Sequence, residues 1–342
     1  MEVREINIAI PRYRRKWQSF MEINGITEFS SNEVDKIEKT FMWDEDGDRA
    51  ATGSIAGNVI KYVAVCSKYK EGGALFNKVV SYLLQQAAQM GRFHLFIFTK
   101  PKYVQSFEYV GFKKLAVSEN GAILETGVPG ITEYIEKLPH FEGKNGSIVM
   151  NANPFTLGHR RLVEVASSKN DHVYVFVVKN DVSLFTYEER IELVKKGVQD
   201  LKNVTVVSGD DYIISPATFP AYFLKSDQEI GTYQARLDAI LFKDQIADPL
   251  DITTRYLGKE PYSKTTDSYN HELLDILPPE VNVEIIDRKT ADDKIISATK
   301  VRQAILDNDQ ALLHEFLPET TMEFVKNNYP DLKKKLIEKG SK

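Results

Sequence analysis

The sequence predicts an α/β protein: an N-terminal mixed α/β domain, then a doubly wound, parallel-sheet, Rossmann-like domain with a helical C-terminus. Short apolar runs alternate with segments of helical periodicity, most regularly beyond residue 146. Such alternation is typical of a parallel sheet covered by helices. The length of 342 residues favours two domains over one. A hydrophobic content of 42% is enough for two cores.

The first part of the chain is expected to fold from buried strands and the helices between them. Its predicted elements are strands at Val59–Cys66 and His94–Thr99, helices at Gly72–Met90 and Pro101–Tyr109, and further strands within Phe112–Leu124. The longer helix is followed by Gly91, a common residue just after a helix C-terminus.

A change in composition marks the boundary between the two parts. Proline and glycine become frequent between residues 127 and 146, with one short helix-like piece among them. We therefore predict a first domain at 1–126, a linker at 127–145 and a second domain at 146–342.

The second part alternates more regularly between strand and helix patterns. The predicted strands are Ser147–Met150, Val173–Lys179, Val204–Ser208, Ala247–Tyr256 and Val281–Ile286, and the predicted helices are Arg160–Ser168, Tyr187–Leu201 and Ile230–Lys243. The C-terminal segment Lys300–Lys342 is expected to be helical, with breaks at Pro318 and Pro330.

Bulk charge and cysteine usage exclude several classes of protein. A net charge of -5 and a pI near 5.8 argue against a nucleic-acid or anionic-membrane binder, which needs a basic surface. Cys66 is the single cysteine, so neither a disulfide within the chain nor a cysteine metal cluster is expected. With no secretory leader pattern and no apolar stretch long enough to span a bilayer, we expect a cytoplasmic protein.

The segment Asn153–His159 (Asn-Pro-Phe-Thr-Leu-Gly-His) lies between a predicted buried strand and a predicted helix. Ligands of open α/β sheets bind at this end of the strands, and a helix N-terminus offers free N–H groups to phosphate. Gly158 allows close backbone approach. His159 is suited to donate a hydrogen bond to a phosphoryl oxygen as charge builds up, and Thr156 to offer its hydroxyl.

A second cluster, Ile296–Arg302 (Ile-Ser-Ala-Thr-Lys-Val-Arg), opens a later helix. Two hydroxyls and two cations at a helix start form a phosphate-binding arrangement. Either motif alone is weak, because a serine or threonine before a helix is usually only a cap. Together, one opening the alternating domain and one near its end, they strongly indicate a nucleotide site.

These two motifs resemble the HxGH and ISxTxxR signatures of the class I nucleotidyltransferase superfamily. Thr156 stands where most of that superfamily has its first histidine, and in this respect the motif is similar to the citrate lyase ligase family. The similarity continues through Asp211–Ser215, Ala217–Pro220 and Arg255–Tyr262. The first domain resembles a GNAT acetyltransferase fold, so the resemblance covers essentially the whole chain.

The resemblance implies an ATP-dependent acid–thiol ligase. Such an enzyme makes acetyl adenylate and pyrophosphate from acetate and ATP. It then passes the acetyl group to the thiol of the dephospho-CoA-derived prosthetic group on the acyl carrier subunit of citrate lyase, which activates citrate lyase for citrate fermentation. ATP is therefore a substrate, and Mg²⁺ is expected because the leaving group is pyrophosphate. No metal-ligand cluster is visible, so the ion is expected to be held mainly by ATP and water.

The resemblance also suggests roles for particular residues. Thr156, His159 and Arg302 are the predicted catalytic residues, and the predicted nucleotide contacts are Asn153, Phe155, Gly158, Arg255, Glu260, Ser297 and Thr299. For Arg255 and Glu260, a solvated surface position is an equally good interpretation. The adjacent pair Asp210-Asp211 is interpreted as a turn and not as an acid/base couple.

In the first domain, the stretch Tyr69–Ala74 matches the GNAT loop that presents backbone N–H groups to the pyrophosphate of CoA. Gly72 and Gly73 are the predicted contacts. Tyr69 replaces the usual cation or glutamine, so Lys68 or Lys70 is expected to supply the charge. We interpret this domain as a docking site for the prosthetic arm, with a purely structural role as the alternative.

Two other functions remain compatible with the motifs. One is an adenylyltransferase that joins AMP to a phosphorylated small molecule, for which Arg160 and Arg161 are the nearest additional cations. The other is a non-catalytic module that binds a carrier protein. Only the acceptor pocket distinguishes the first of these from the ligase, and the intact motifs argue against the second.

Overall fold

The computed structural model describes residues 1–27, 29, 31–179, 183–213, 227–259, 264–287, 290–291 and 294–340. The chain divides into two units: an N-terminal unit of Met1–Lys137 with Thr218–Leu241, and a C-terminal unit of Leu138–Ala217 with Phe242–Lys342. None of the helices in the described ranges is both long and apolar enough to cross a membrane.

The N-terminal unit is built on a seven-stranded sheet of order β1-β2-β3-β4-β5-β7-β6. Its strands are β1 (Glu2–Ile6), β2 (Lys39–Glu45), β3 (Asp48–Ala56), β4 (Val59–Val65), β5 (His94–Thr99), β6 (Lys113–Val117) and β7 (Ala122–Gly127). Neighbouring strands are antiparallel except for the parallel pair β4–β5. The two faces carry separate cores because side chains alternate along each strand. In β2, Phe41 and Trp43 belong to one core and Met42 to the other.

The parallel pair at the centre of this sheet is short. Strands β4 and β5 are paired only at Val59–Phe96 and Ile60–Ile97. Just beyond, Tyr62 has a φ of +55°, and the register between β3 and β4 shifts there. A bulge of this kind bends a strand and interrupts its pairing. The two strands therefore diverge and leave a cleft between them.

The C-terminal unit contains a five-stranded sheet of order β10-β9-β8-β11-β12 in which every pair is parallel. The strands of this unit are β8 (Asn145–Met150), β9 (His172–Val177), β10 (Val204–Ser208), β11 (Ile252–Gly258), β12 (Asn282–Ile286) and the small antiparallel pair β13 (Thr290–Ala291) and β14 (Lys294–Ile295). The chain runs outward from β8 in one direction and from β11 in the other, so strand order reverses between them. This reversal is the crevice where doubly wound sheets bind ligands. The predicted fold class is confirmed.

Helices cover both sheets. In chain order they are α1 (Pro11–Ile23), α2 (Ser31–Val34), α3 (Ala74–Gln89), α4 (Val104–Tyr109), α5 (Ile131–Glu136), α6 (Leu157–Lys169), α7 (Tyr187–Gly197), α8 (Asp227–Leu241), α9 (Lys264–Ile276), α10 (Ala298–Asp307), α11 (Gln310–Phe316), α12 (Glu319–Asn327) and α13 (Tyr329–Gly340). Short 3-10 turns occupy Ser67–Tyr69 and Pro101–Tyr103, and a π-helical segment spans Phe242–Ala247. Helices α1–α5 and α8 belong to the N-terminal unit.

The compact units differ from the predicted segments 1–126, 127–145 and 146–342. The helix predicted near 230–243 was assigned to the second domain, whereas α8 packs against β6 of the N-terminal unit. Tyr233 of α8 lies so close to Gly121 that a Cβ at that glycine would be 2.0 Å from its ring. The periodicity of a helix indicates that one face is buried, but it does not indicate which sheet buries it.

The predicted linker is also divided between the units, with α5 inside it. At the C-terminus, the break predicted at Pro330 is present: α12 ends at Asn327, and α13 begins at Tyr329 with this proline in its first turn. Proline is well tolerated there, since the first N–H groups of a helix have no partner within it.

Candidate active site

The turn that follows β8 lies at the carboxyl end of the sheet, beside the crevice between β8 and β11. Ala152 in this turn has a φ of +49° although it carries a Cβ, and it is almost fully buried. A non-glycine residue in this conformation costs about 1 kcal/mol or more and persists only where its surroundings hold it. The backbone is therefore held in a fixed conformation just before the first motif.

Two side chains hold this turn. Arg190 of α7 is completely buried, and its Nη1 donates to the Asn151 carbonyl (2.9 Å) and to the Val178 carbonyl (2.7 Å). It thereby connects the ends of β8 and β9. The Asn153 side chain accepts bonds from the backbone N–H groups of Leu184 and Phe185, both at 3.1 Å. Asn153 thus shapes the turn, and sequence reasoning missed Arg190 altogether.

Thr156 and His159 form a reciprocal cap at the start of α6. The Thr156 hydroxyl oxygen accepts a bond from the His159 backbone N–H, and the Thr156 backbone N–H donates to Nδ1 of His159 at 3.1 Å. The hydroxyl itself lies 2.9 Å from the same Nδ1. Because Nδ1 acts as an acceptor, the neutral imidazole carries its proton on Nε2. The first turn of the helix therefore fixes both the orientation and the tautomer of His159.

The side chain of Phe155, a predicted nucleotide contact, lies in the core. Its ring has no exposed surface, stacks on His159 with 5.8 Å between ring centroids, and lies where a side chain at Gly197 would stand. Because the ring is fully buried, only the backbone of Phe155 is available to contact a bound nucleotide. Phe155 instead supports His159 from the core side.

The second motif lies against the first, 149 residues further along the chain. Nη1 of Arg302 donates to the Asn153 carbonyl at 2.7 Å, and Nη2 donates to the Thr299 hydroxyl at 3.0 Å. Ser297 caps α10 by accepting a bond from the Lys300 backbone N–H. Burial lowers the pKa of Arg302, although a guanidinium stays protonated at neutral pH. The helix starts of α6 and α10 thus present hydroxyls, a histidine and a cation together.

Gly158 lies between the two motifs. A Cβ built on it would meet Ile296 and Thr156 at 3.5 Å, an ordinary contact distance, and its φ is not in the left-handed region. Packing within the protein therefore does not require glycine here. This freedom is compatible with the predicted close approach of a nucleotide.

Arg255 does not lie at the carboxyl edge. It occupies the middle of β11, opposite Ser147 of β8, and is only 2% exposed, so the solvated surface position considered for it is wrong. Glu260, the other charged residue predicted near the nucleotide, lies outside the described residues.

Lys179 and Asp210 form an ion pair of 2.7 Å just beyond the ends of β9 and β10. Burial alone would lower the pKa of Lys179, but the bond to Asp210 and the neighbouring Asp211 raise it. Asp210 has a φ of +44°, consistent with the predicted turn. This cation lies at the ligand edge, and sequence reasoning did not identify it.

The cleft of the N-terminal unit has a volume of about 480 Å³. Its two sides are the diverging segments Val63–Val65 and Ile97–Thr99, and Gly72, Gly73 and Lys70 lie at its rim before α3. Both glycines have a left-handed φ, +73° and +67°, and a Cβ on either would meet no atom within 4 Å. Among the described residues that line this cleft, there is no aspartate, glutamate, histidine or cysteine. Lys68 is paired with Asp48, which leaves Lys70 as the better placed cation.

Candidate metal ligands do not cluster among the described residues of either unit. Within the part of the chain that the structure describes, no three His, Cys, Asp or Glu side chains lie close enough together to hold an ion. The donors gathered at the two helix starts are hydroxyls, N–H groups and a guanidinium, which suit phosphate oxygens.

A doubly wound sheet whose crevice is bordered by two helix starts rich in hydroxyl, N–H and guanidinium donors defines a domain of the nucleotidyltransferase type. Residues 145–325 match the family model described as the citrate lyase ligase C-terminal domain. The citrate (pro-3S)-lyase ligase of Haemophilus influenzae is 39% identical over 283 residues, which are 80% of this chain and 84% of that protein. The citrate (pro-3S)-lyase ligase of Escherichia coli is 37% identical over 287 residues, 81% of each chain. The chain therefore belongs to the citrate lyase ligase family.

A shorter similarity agrees with the class. The phosphopantetheine adenylyltransferase of Petrotoga mobilis is 40% identical over 65 residues, which are 18% of this chain and 40% of that protein.

Proposed function

We propose that this protein is an acid–thiol ligase that adenylylates acetate with ATP. It then transfers the acetyl group to the thiol of the dephospho-CoA-derived prosthetic group on the acyl carrier subunit of citrate lyase, which activates that enzyme. The observation that carries the proposal is the hydrogen bond from Arg302 to the Asn153 carbonyl. It joins the two phosphate-binding motifs at the crevice of a chain that belongs to this family.

The reaction has two steps. In the first, a carboxylate oxygen of acetate attacks the α-phosphorus of ATP, the bond to the β-phosphate oxygen breaks, and pyrophosphate leaves. In the second, the carrier thiolate attacks the acetyl carbon, the acyl C–O bond breaks, and AMP leaves with the oxygen that came from acetate. Acetate is an adequate nucleophile, so the enzyme needs chiefly to align the reactants and stabilise charge.

The site residues fit the first step. The Nε2–H of His159 is the donor for the charge that develops on the α-phosphoryl group, and Thr156 orients it from Nδ1. Ser297, Thr299 and Arg302 receive the β- and γ-phosphates. Mg²⁺ bound to the triphosphate would neutralise part of the charge on the pyrophosphate leaving group. Gly158 gives the phosphates room to approach the helix start.

The cleft of the N-terminal unit suits the prosthetic arm. Apolar walls on β4 and β5 accept an extended pantetheine-like chain, and the helix start at Gly72 and Gly73 accepts its phosphates. The commonest proton acceptors for an acetyltransferase acting on an amine are a carboxylate or a histidine, and neither is among the described lining residues of the cleft. These features favour a docking role over a separate acetyltransferase activity.

One of the two cations considered for a phosphorylated acceptor, Arg160, is already engaged. Arg160 pairs with Asp200 at 2.7 Å and donates to the Gly197 carbonyl at 2.6 Å. This engagement counts against an enzyme that joins AMP to a phosphorylated small molecule.

ATP–pyrophosphate exchange with purified protein and Mg²⁺, with and without acetate, tests the proposal. We expect exchange that depends on acetate. Exchange that requires a phosphorylated small molecule and its adenylylated product, with acetate having no effect, would instead identify the dinucleotide-forming activity.

A further inference from the structure

Arg255 in the C-terminal unit has a buried charge with unmatched donors. Its side chain is 2% exposed, and neither Nε nor Nη1 has a hydrogen-bond partner in the structure. The guanidinium lies 4.2 Å from the ring centroid of Phe242. The contrast with Arg190, equally buried but bonded to three carbonyls, is clear.

A buried guanidinium with two unpartnered nitrogens is unfavourable in the free protein. The attraction to the face of Phe242 offsets only part of the lost hydration. Such a group becomes favourable once an anion accepts its N–H donors, because charge-assisted bonds are strong at low dielectric. The arrangement is therefore that of a receptor for an anion.

The position of Arg255 limits the size of that anion. It lies three residues before the end of β11, roughly 10 Å along the strand from the carboxyl edge, next to β8 at the strand-order reversal. The surrounding side chains include Phe242, which in turn contacts Phe176 with 6.2 Å between ring centroids. Phe242 also opens the π-helical segment, a rare feature that is frequent at functional sites. An enclosed cation with aromatic neighbours suits a small, partly apolar anion better than a triphosphate.

We infer that Arg255 binds the carboxylate of the acid substrate and that Phe242 borders the site of its alkyl group. This inference rests on the proposed function and refines it, since it separates the carboxylate receptor from the phosphate receptors. Arg255, predicted as a nucleotide contact, would then determine which acid is activated.

The substitution Arg255→Met tests this assignment, because it keeps the length of the side chain and removes its charge. We expect the KM for acetate in ATP–pyrophosphate exchange to rise about 50-fold or more, while the KM for ATP changes less than about 3-fold. Arg255→Lys should recover only part of the acetate affinity, since lysine lacks the planar set of donors.

Thermal unfolding distinguishes an anion-binding arginine from one that only stabilises the fold. Removing an unmatched charge should leave the Tm of Arg255→Met equal to or above that of the unaltered protein, whereas Arg190→Met should lower it. Sodium acetate, compared with sodium chloride at equal ionic strength, should raise the Tm of the unaltered protein and not that of Arg255→Met. This measurement needs neither ATP nor turnover.

The inference is overturned if Arg255→Met raises the KM values for ATP and acetate equally, or if it lowers the Tm as much as Arg190→Met does. A different result would contradict the proposed function and not this inference: acetate would raise the Tm of the unaltered protein, but not that of Arg255→Met, and would support no ATP–pyrophosphate exchange. If acetate-dependent exchange is the same in Arg255→Met as in the unaltered protein, the proposed function stands, but Arg255 does not bind the carboxylate.

Discussion

Two loops of this protein lead into a helix and are proposed to bind phosphate, but they are built differently. The loop before α6 is held by side chains: Asn153 bonds to two backbone N–H groups, and Arg302 bonds to the Asn153 carbonyl. The loop before α3 has no side-chain cap, and its conformation depends on Gly72 and Gly73 at positive φ.

The difference corresponds to what each loop is proposed to do. Stabilising a transition state requires donors fixed before the reaction, because reorganisation at that moment would cost rate. Holding the phosphates of a prosthetic arm requires only backbone N–H groups that face the ligand. We therefore expect substitutions at the first loop to affect chemistry, and substitutions at the second to affect carrier binding alone.

The largest expected effect comes from removing the anchor of the first loop. Arg190→Met leaves the carbonyls of Asn151, Val178 and Phe185 without their buried donor and should lower the free energy of unfolding by about 3 kcal/mol. Denaturant titration measures this change. Arg160→Met is the matched control, because Arg160 bonds to Asp200, Glu164 and the Gly197 carbonyl from a partly exposed position, and its loss should cost about 1 kcal/mol. Similar losses of unfolding free energy in the two variants would show that Arg190 stabilises the protein no more than a partly exposed arginine does.

The next largest effect is on the rate. His159→Ala removes the proposed donor to the α-phosphoryl group, and acetate-dependent exchange should slow by about 100-fold or more, with the circular dichroism spectrum unchanged. His314→Ala changes an exposed histidine on α11 and should exchange at the normal rate. A His159→Ala protein that exchanges within a few-fold of normal would remove this residue from the mechanism.

Removal of the cation of the second motif should act mainly on ATP. Arg302→Ala loses both a proposed phosphate contact and the bond to the Asn153 carbonyl, so the KM for ATP should rise about 30-fold. Steady-state exchange kinetics with each substrate varied separately measure the effect. An increase confined to the KM for acetate would reverse the assignments of Arg302 and Arg255.

The smallest effect is expected at the second loop. Gly72→Val places a β-branched residue at a φ of +73° and a side chain at the rim of the cleft. It should raise the KM for the carrier thiol about 10-fold while sparing acetate-dependent exchange. Gly91→Val has a similar φ, +75°, with no atom within 4 Å, and lies beyond the other end of α3, so it controls for backbone strain. Equal effects of the two substitutions on carrier use would exclude docking at Gly72.

Sequence reasoning predicted the parallel domain well and the first 58 residues poorly. In the parallel domain, strands buried on both faces are continuous apolar runs, which stand out in the sequence. Strand β3 carries small and hydroxylated residues inward instead, such as Ser54, which hydrogen-bonds to Thr40 of β2 at 3.0 Å, and β2 has only the short apolar run Phe41–Trp43. Such strands lack apolar alternation and gave no signal.

The sequence predicted the two motifs of the candidate site, but not the residues that hold those motifs in place. The helix-start motifs have fixed spacing, so the sequence alone predicted Thr156, His159 and Arg302, which the fold places at the starts of α6 and α10. Arg190 follows two glutamates in a helix and has the pattern of a solvated charge, and only the fold shows that it is buried. The burial of Phe155 and Arg255 likewise depends on tertiary packing.

The most direct test of the account follows the oxygen of acetate. We would incubate the protein with ATP, Mg²⁺, the carrier thiol and acetate labelled with ¹⁸O in its carboxylate, and analyse the products by mass spectrometry. We expect one labelled oxygen in AMP and none in pyrophosphate, since AMP leaves with an oxygen that belonged to acetate. Unlabelled AMP, or label in pyrophosphate or orthophosphate, would contradict adenylylation of the carboxylate.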